Sequence, residues 1–249
     1  MSRAVMSRAM KRDMRMMPAK CVNKKQGGFT LIEIAIVLVI IGLLLGGVLK
    51  GQELINTARV RALNNSVDGI TAAWFSFQDR YRAFPGDYLD AKSKVNLPKL
   101  NGAVVPGGDG DGIIENEVER GRVWTHLEAA GYITGGYSGA VLADGKEYTC
   151  EATICPDNGF GTGMSIFHGA EVQSSSVNAH ELISGQGIPI EVIAELDRKI
   201  DDDSPDSGVM QIGDTTIFAA CFTPIAGTTP ASYNLQNASD NCAAVFRNF

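Results

Sequence analysis

Two hydrophobic patterns follow one another along the first third of the chain. From Phe29 to Leu49 the sequence is almost continuously apolar, 21 residues with Glu33 as the single charge. At ~1.5 Å per residue, a helix of that length spans the ~30 Å hydrocarbon layer of a bilayer. Beyond it the pattern becomes one-sided. Val60, Leu63, Val67, Ile70, Trp74 and Phe77 are spaced three and four apart, which predicts that the helix continues with one face toward a core. Phe84-Pro85-Gly86 predicts its stop, because proline disfavours helical geometry at the residue before it.

The rest of the chain alternates short segments with turns. Residues 83–118 carry Pro85, Pro98, Pro106 and many glycines, and read as a long loop. Val123, Trp124, Leu127 and Ala130 predict a short helix closed by Gly131. Lys146 to Cys155, Gly163 to Phe167 and Thr215 to Phe222 read as strands, the last being the clearest. Asn178 with Glu181 three residues later predicts a capped helix start. A second helix is expected from Pro189 to Ile200, with Ile193, Leu196 and Ile200 inward, followed by an acidic turn over 201–208. The tail to Phe249 holds few strand formers.

Charge divides the chain at the apolar run. The net charge of −6 combines +7 over residues 1–28, from eight Lys/Arg and one Asp, with −13 over the remainder. A basic segment ahead of a membrane-length run stays cytoplasmic, so everything after Leu49 is expected to be exported. An acidic exported region is poorly suited to nucleic acid. Cys21 lies in the basic leader and four cysteines remain, Cys150, Cys155, Cys221 and Cys242. An even number in an exported region predicts two disulfides, with three possible connectivities. The spacing favours Cys221 with Cys242 as a C-terminal staple and Cys150 with Cys155. No Cys-x-x-Cys pair favours zinc.

The junction Gly28-Phe29-Thr30-Leu31-Ile32-Glu33, behind a basic leader and ahead of the apolar run, resembles the cleavage and methylation motif of type IV pilins and pseudopilins. The resemblance implies removal of residues 1–28 by a prepilin peptidase cutting after Gly28, and N-methylation of Phe29. It implies that Glu33 neutralises the terminal amine of an adjacent subunit during assembly. A carboxylate inside a membrane helix costs roughly 2.5–3.5 kcal/mol near the centre, so such a group is retained for a partner. The implied plan is α+β: a long N-terminal helix, transmembrane over 29–50 and amphipathic over 51–83, packed on a small antiparallel sheet within an exported domain of residues 84–249. The implied partners are identical or related pilin subunits, the peptidase, an inner-membrane assembly platform and the membrane. The expected location is the inner membrane as a single-pass protein, then a periplasmic or cell-surface filament. The helix-kinking proline common in the family is absent here, leaving Gly42, Gly46, Gly47 and Gly51 as the soft positions.

Candidate chemistry is sparse. The run Gly107-Gly-Asp-Gly-Asp-Gly112-Ile-Ile-Glu115-Asn-Glu117 echoes the calcium loop D-x-D-x-D-G-x-I when aligned on Gly112. Gly107 then takes the first ligand position and Val118 the twelfth, so the match is partial. Asp109, Asp111, Glu115, Glu117 and Glu119 are the candidate calcium ligands, against the plainer reading of a solvated acidic turn. Of three histidines, His126 sits beside Trp124 and reads as a surface or half-buried structural residue. No H-E-x-x-H or G-x-S-x-G motif occurs, and Gly159 to Gly163 does not form the dinucleotide fingerprint. The chain therefore reads as a structural subunit rather than an enzyme. The other class in play is a membrane-anchored, adhesin-like binding module that never polymerises.

Overall fold

The computed structural model describes residues 28–92, 105–143, 145–170, 172, 177–214, 216–225, 231–237, 239–247 and 249. The basic leader with Cys21, and Pro98 of the expected loop, lie outside them. The chain divides into two units at Val48/Leu49.

The first unit contributes the opening turns of helix α1 (Leu31–Tyr81). Its start is a capping box: Thr30 Oγ1 accepts the Glu33 N–H at 3.3 Å, and Glu33 Oε2 accepts the Thr30 N–H at 2.7 Å. The apolar side chains from Leu31 to Leu49 are exposed. The helix is long and apolar enough to cross a membrane.

In the second unit, α1 buries the expected stripe, Val60, Leu63, Val67, Ile70, Trp74 and Phe77, together with Ala73. The helix ends where Arg82 takes φ 53°, just ahead of Pro85. A 3-10 turn follows at Leu89–Lys92. Helix α2 (Glu117–Ala129) begins six residues before the apolar stripe that announced it, because Asn116 in extended geometry caps the Glu119 N–H at 2.9 Å. It closes in a Schellman motif. Gly131 at φ 82° donates its N–H to Glu128 O, and Tyr132 donates to Leu127 O. Helix α3 (Ile190–Ile200) follows Pro189 and buries Ile190, Val192, Ile193, Ala194 and Leu196.

A four-stranded antiparallel sheet in the order β1-β2-β6-β3 lines the core. Its strands are β1 (Ser165–Gly169), β2 (Ala179–Ile183), β3 (Met210–Ile212) and β6 (Ala244–Phe246). A two-stranded ribbon joins β4 (Phe222–Thr223) to β5 (Ser232–Tyr233). Trp74 of α1 meets His180 of β2 at 5.5 Å and Phe249 at 5.8 Å between ring centroids. Phe77, one turn on, stacks at 6.1 Å on His126 of α2.

Four expectations are corrected. Asn178 opens strand β2 rather than a helix: His180 packs under Trp74 while Glu181, fully buried, pairs with Arg247 at 2.9 Å, so two polar residues occupy buried strand positions. Of the expected strand Thr215 to Phe222, Thr215 lies outside the described residues and 216–221 are turn, because Asp214 draws in the N–H of Thr216 and its carbonyl takes those of Ile217 and Phe218. Lys146 to Cys155 is also a series of turns, tied to the sheet region by a bridge from Cys150 to Gly163 and by the Ser165 hydroxyl of β1, which donates to Glu147 O at 2.6 Å. The tail, read as lacking strands, supplies β6, an interior strand of the sheet.

Candidate functional site

Gly28, Phe29 and Glu33 lie together at the N-terminal end of the described chain. Phe29 is 84% exposed, and Gly28 has no atom within 4 Å of the place a Cβ would take. Among the described residues, nothing crowds the junction between them. Glu33 Oε2 holds Thr30 twice, through its N–H and through its hydroxyl at 2.8 Å. The carboxylate is thus fixed over the first turn of α1, where the helix dipole also favours negative charge. From the sequence, the partner expected for Glu33 is a terminal amine, of the same chain or of a neighbour, rather than Thr30. The Thr30-x-x-Glu33 spacing was the available signal for this second partner.

The acidic loop is organised by a residue that the loop itself does not contain. Asp87, 2% exposed, accepts the N–H groups of Gly110 at 2.6 Å and Asp111 at 3.1 Å on Oδ1, and that of Gly112 at 3.0 Å on Oδ2. A carboxylate oxygen from each of Asp87, Asp109 and Asp111 falls within 4.8 Å of the others. Burial pushes the Asp87 carboxyl above its ordinary range, the N–H groups of Gly112 and Gly110 pull it back, and the charges of Asp111 and Asp109 push it up again. Glu119 is buried in α2 and takes the Asp109 N–H on Oε1 at 3.0 Å; burial likewise raises its pKa. Glu115 and Glu117 are exposed and do not join the cluster. Of the five candidates the structure therefore gathers Asp109 and Asp111, adds Asp87, and places Glu119 against the loop backbone. The loop also packs tightly: a Cβ on Gly108 would lie 2.4 Å from Asp87 Cα.

His126 is fully buried, against the expectation of a surface or half-buried residue. Its Nδ1 accepts the Gly86 N–H at 2.9 Å and its Nε2 lies 2.7 Å from Pro106 O, so the ring bridges both flanks of the 86–106 segment. His180 is also buried, 4.9 Å from His168 between ring centroids, on the face that Trp74 covers. Neither arrangement presents a nucleophile beside a base. Cys150 is bonded to Cys155 and Cys221 to Cys242. The second bond joins the segment leading into β4 to the segment leading into β6.

Residues 23–49 match the family model of the prokaryotic N-terminal methylation motif. The chain carries the type IV pilin and pseudopilin signature. The matched stretch contains Gly28, Phe29, Thr30, Glu33 and the exposed apolar turns of α1. No curated protein and no solved structure matches the chain. The pilin signature supports a substrate of prepilin peptidase and points to a structural subunit rather than an enzyme. With the apolar N-terminal helix it fits membrane anchoring. The long helix and small antiparallel sheet place the chain in the α+β class.

Proposed function

We propose that this chain is a structural filament subunit, a pilin, minor pilin or pseudopilin of a type IV pilus or a type II secretion pseudopilus. Cleavage between Gly28 and Phe29 releases the basic leader, and methylation of Phe29 follows. The observation that carries the reading is the exposed apolar surface from Leu31 to Leu49, headed by a pre-oriented Glu33. In the inner membrane, lipid covers that surface. In a filament the same side chains cover one another, and Glu33 meets the terminal amine of a neighbour. Such contacts between unlike surfaces repeat without closing, which is the symmetry an open filament needs.

The test has two arms. Mass spectrometry of the N-terminal peptide from membranes is expected to find N-methylated Phe29, and an intact leader would sink the reading. Sheared filaments or pseudopili are then expected to contain the processed chain. A processed, methylated chain that stays in the membrane fraction as a monomer would instead favour an anchored binding module.

A further inference from the structure

The C-terminal end of α3 carries a second group of carboxylates. Asp197 lies in its last turn, Asp201 is its C-cap, and Asp202 follows in the turn that leads to β3. One oxygen from each of the three falls within 4.8 Å of the other two. Acidic groups often cluster on protein surfaces, but Asp197 is different. It has no solvent exposure, its Oδ2 accepts the Tyr233 hydroxyl at 2.7 Å, and its Oδ1 is buried with no hydrogen-bond partner among the described residues. A buried carboxylate that stands beside two more carboxylates thus has one oxygen without the donor that burial normally demands.

The surroundings make the missing positive charge more conspicuous. A helix C-terminus presents about −0.5 of an elementary charge, so three carboxylates there oppose the dipole. The two basic residues of the last turn are engaged elsewhere, Arg198 by Asp203 at 3.1 Å and Lys199 by Glu195 at 2.6 Å. Burial, and then the charges of Asp202, Asp201 and Asp203, push the Asp197 carboxyl up to about 7, against the pull of the Tyr233 hydrogen bond. Meanwhile the cluster is held in place by its own turn. Asp201 Oδ2 accepts the N–H groups of Val209 and of Met210, the latter at 3.2 Å. Asp202 accepts the Ser204 N–H at 3.2 Å and the Ser207 hydroxyl at 2.6 Å.

We infer that Asp197, Asp201 and Asp202 bind one calcium ion, which joins the end of α3 to the 201–209 turn. The donor set is all carboxylate oxygen, which suits a hard cation and neither zinc nor copper. Oxygens at ~2.3–2.6 Å from a calcium ion lie up to ~5 Å apart across it, which accommodates the 4.8 Å spacing. Backbone carbonyls and water complete the six to eight ligands that calcium takes in flexible geometry. An exported protein works with a weak site, on the order of 10⁻⁴–10⁻³ M. The ion braces the turn that positions β3 and, through Tyr233, the β4–β5 ribbon.

The experiment uses the full chain in detergent, with calcium chloride or terbium chloride as the only added metal. At about ten times Kd, calcium is expected to raise Tm by about 3–6 °C. Asp202→Asn, an exposed change compatible with folding, is expected to weaken terbium binding about tenfold or more. Terbium emission excited through tyrosine is expected to drop in Tyr233→Phe relative to direct terbium excitation, because that phenol touches a ligand carboxylate. The inference is overturned by a flat Tm up to about 10 mM calcium, ten times the weakest Kd of that range, or by an unchanged calcium response in Asp202→Asn. It is equally overturned by a response that survives in Asp202→Asn and disappears in Asp109→Asn/Asp111→Asn, which would place the ion in the other acidic loop.

Discussion

The Gly86 N–H donates to Nδ1 of His126, and this one bond fixes the state of a buried ring. With Nδ1 accepting, the proton of the neutral imidazole sits on Nε2 and is donated to Pro106 O at 2.7 Å. Protonating Nδ1 would turn the acceptor into a donor facing another donor. Burial also disfavours the charged ring, and the Arg122 charge adds to this against the pull of Pro106 O; the pKa is lowered to about 4.

The sign of the pH effect follows. Below its ordinary value of about 6.5, the unfolded histidine binds a proton that the folded one refuses, so stability falls as pH drops from there toward 4. By pH 4.5 the loss from His126 alone is about 2–3 kcal/mol. His126→Gln is expected to lower stability at pH 7 by removing the fitted ring, yet to lose about 2–3 kcal/mol less than wild type between pH 7 and 4.5. Thermal or urea unfolding at the two pH values measures the difference. Equal pH dependence in both chains would show that the ring is not held neutral.

Glu33 has two duties that two substitutions separate. Thr30→Val removes the hydroxyl that caps the Glu33 N–H and should weaken the first turn by about 0.5–2 kcal/mol, while leaving the carboxylate in place. Glu33→Val removes the charge and the acceptor of the Thr30 N–H, and keeps the Thr30 hydroxyl as a cap for the residue-33 N–H. Membrane insertion should be unchanged or improved in Glu33→Val, since the apolar run loses its single charge. Filament yield should collapse in Glu33→Val and survive in Thr30→Val. Equal yields in both variants would mean that the carboxylate serves only as a cap.

The two disulfides should contribute unequally. By loop entropy the 21-residue separation of Cys221 and Cys242 gives about 3 kcal/mol, and the 5-residue separation of Cys150 and Cys155 about 2 kcal/mol. Cys221→Ser/Cys242→Ser should therefore lower Tm more than Cys150→Ser/Cys155→Ser. It should also free the segment that enters β6, an interior strand of the sheet. Differential scanning calorimetry of the two double variants decides the order.

The sequence exposed what repeats and hid what is assembled from distant pieces. The α1 stripe from Val60 to Phe77 was legible because one period runs through it and every member faces the core. Strand β2 was not, because His180 and Glu181 are polar residues whose partners, Trp74 and Arg247, lie far away in the chain. Strand β6 is three residues long and owes its geometry to β2 and β3 on either side, not to its own composition. The acidic loop showed Asp109 and Asp111, but its organiser Asp87 lies over twenty residues earlier, outside any window centred on Gly112. Asp197 was hidden differently: it sits among the apolar positions of α3 and is buried with them.

Gly121 sets helix propensity against packing, and packing should win. It lies inside α2, where alanine is normally favoured over glycine by about 1 kcal/mol. A Cβ there would stand 1.8 Å from Ala140 O and 2.8 Å from Ala140 C, both backbone atoms. That segment has little freedom to retreat, because the Leu142 N–H is bonded to Glu117 O at 3.0 Å and Leu142 itself is buried. Overpacking costs about 1–3 kcal/mol and more when backbone must shift, so the propensity gain is outweighed. Gly121→Ala should lower stability by about 1–3 kcal/mol. Gly69→Ala supplies the opposite case, an exposed glycine within α1 with nothing within 4 Å of its added Cβ. It should stabilise the chain by about 0.5–1 kcal/mol. Thermal unfolding of both variants in detergent tests the pair, and a stabilised Gly121→Ala would show that α2 and the 140–142 segment are not in the close contact described.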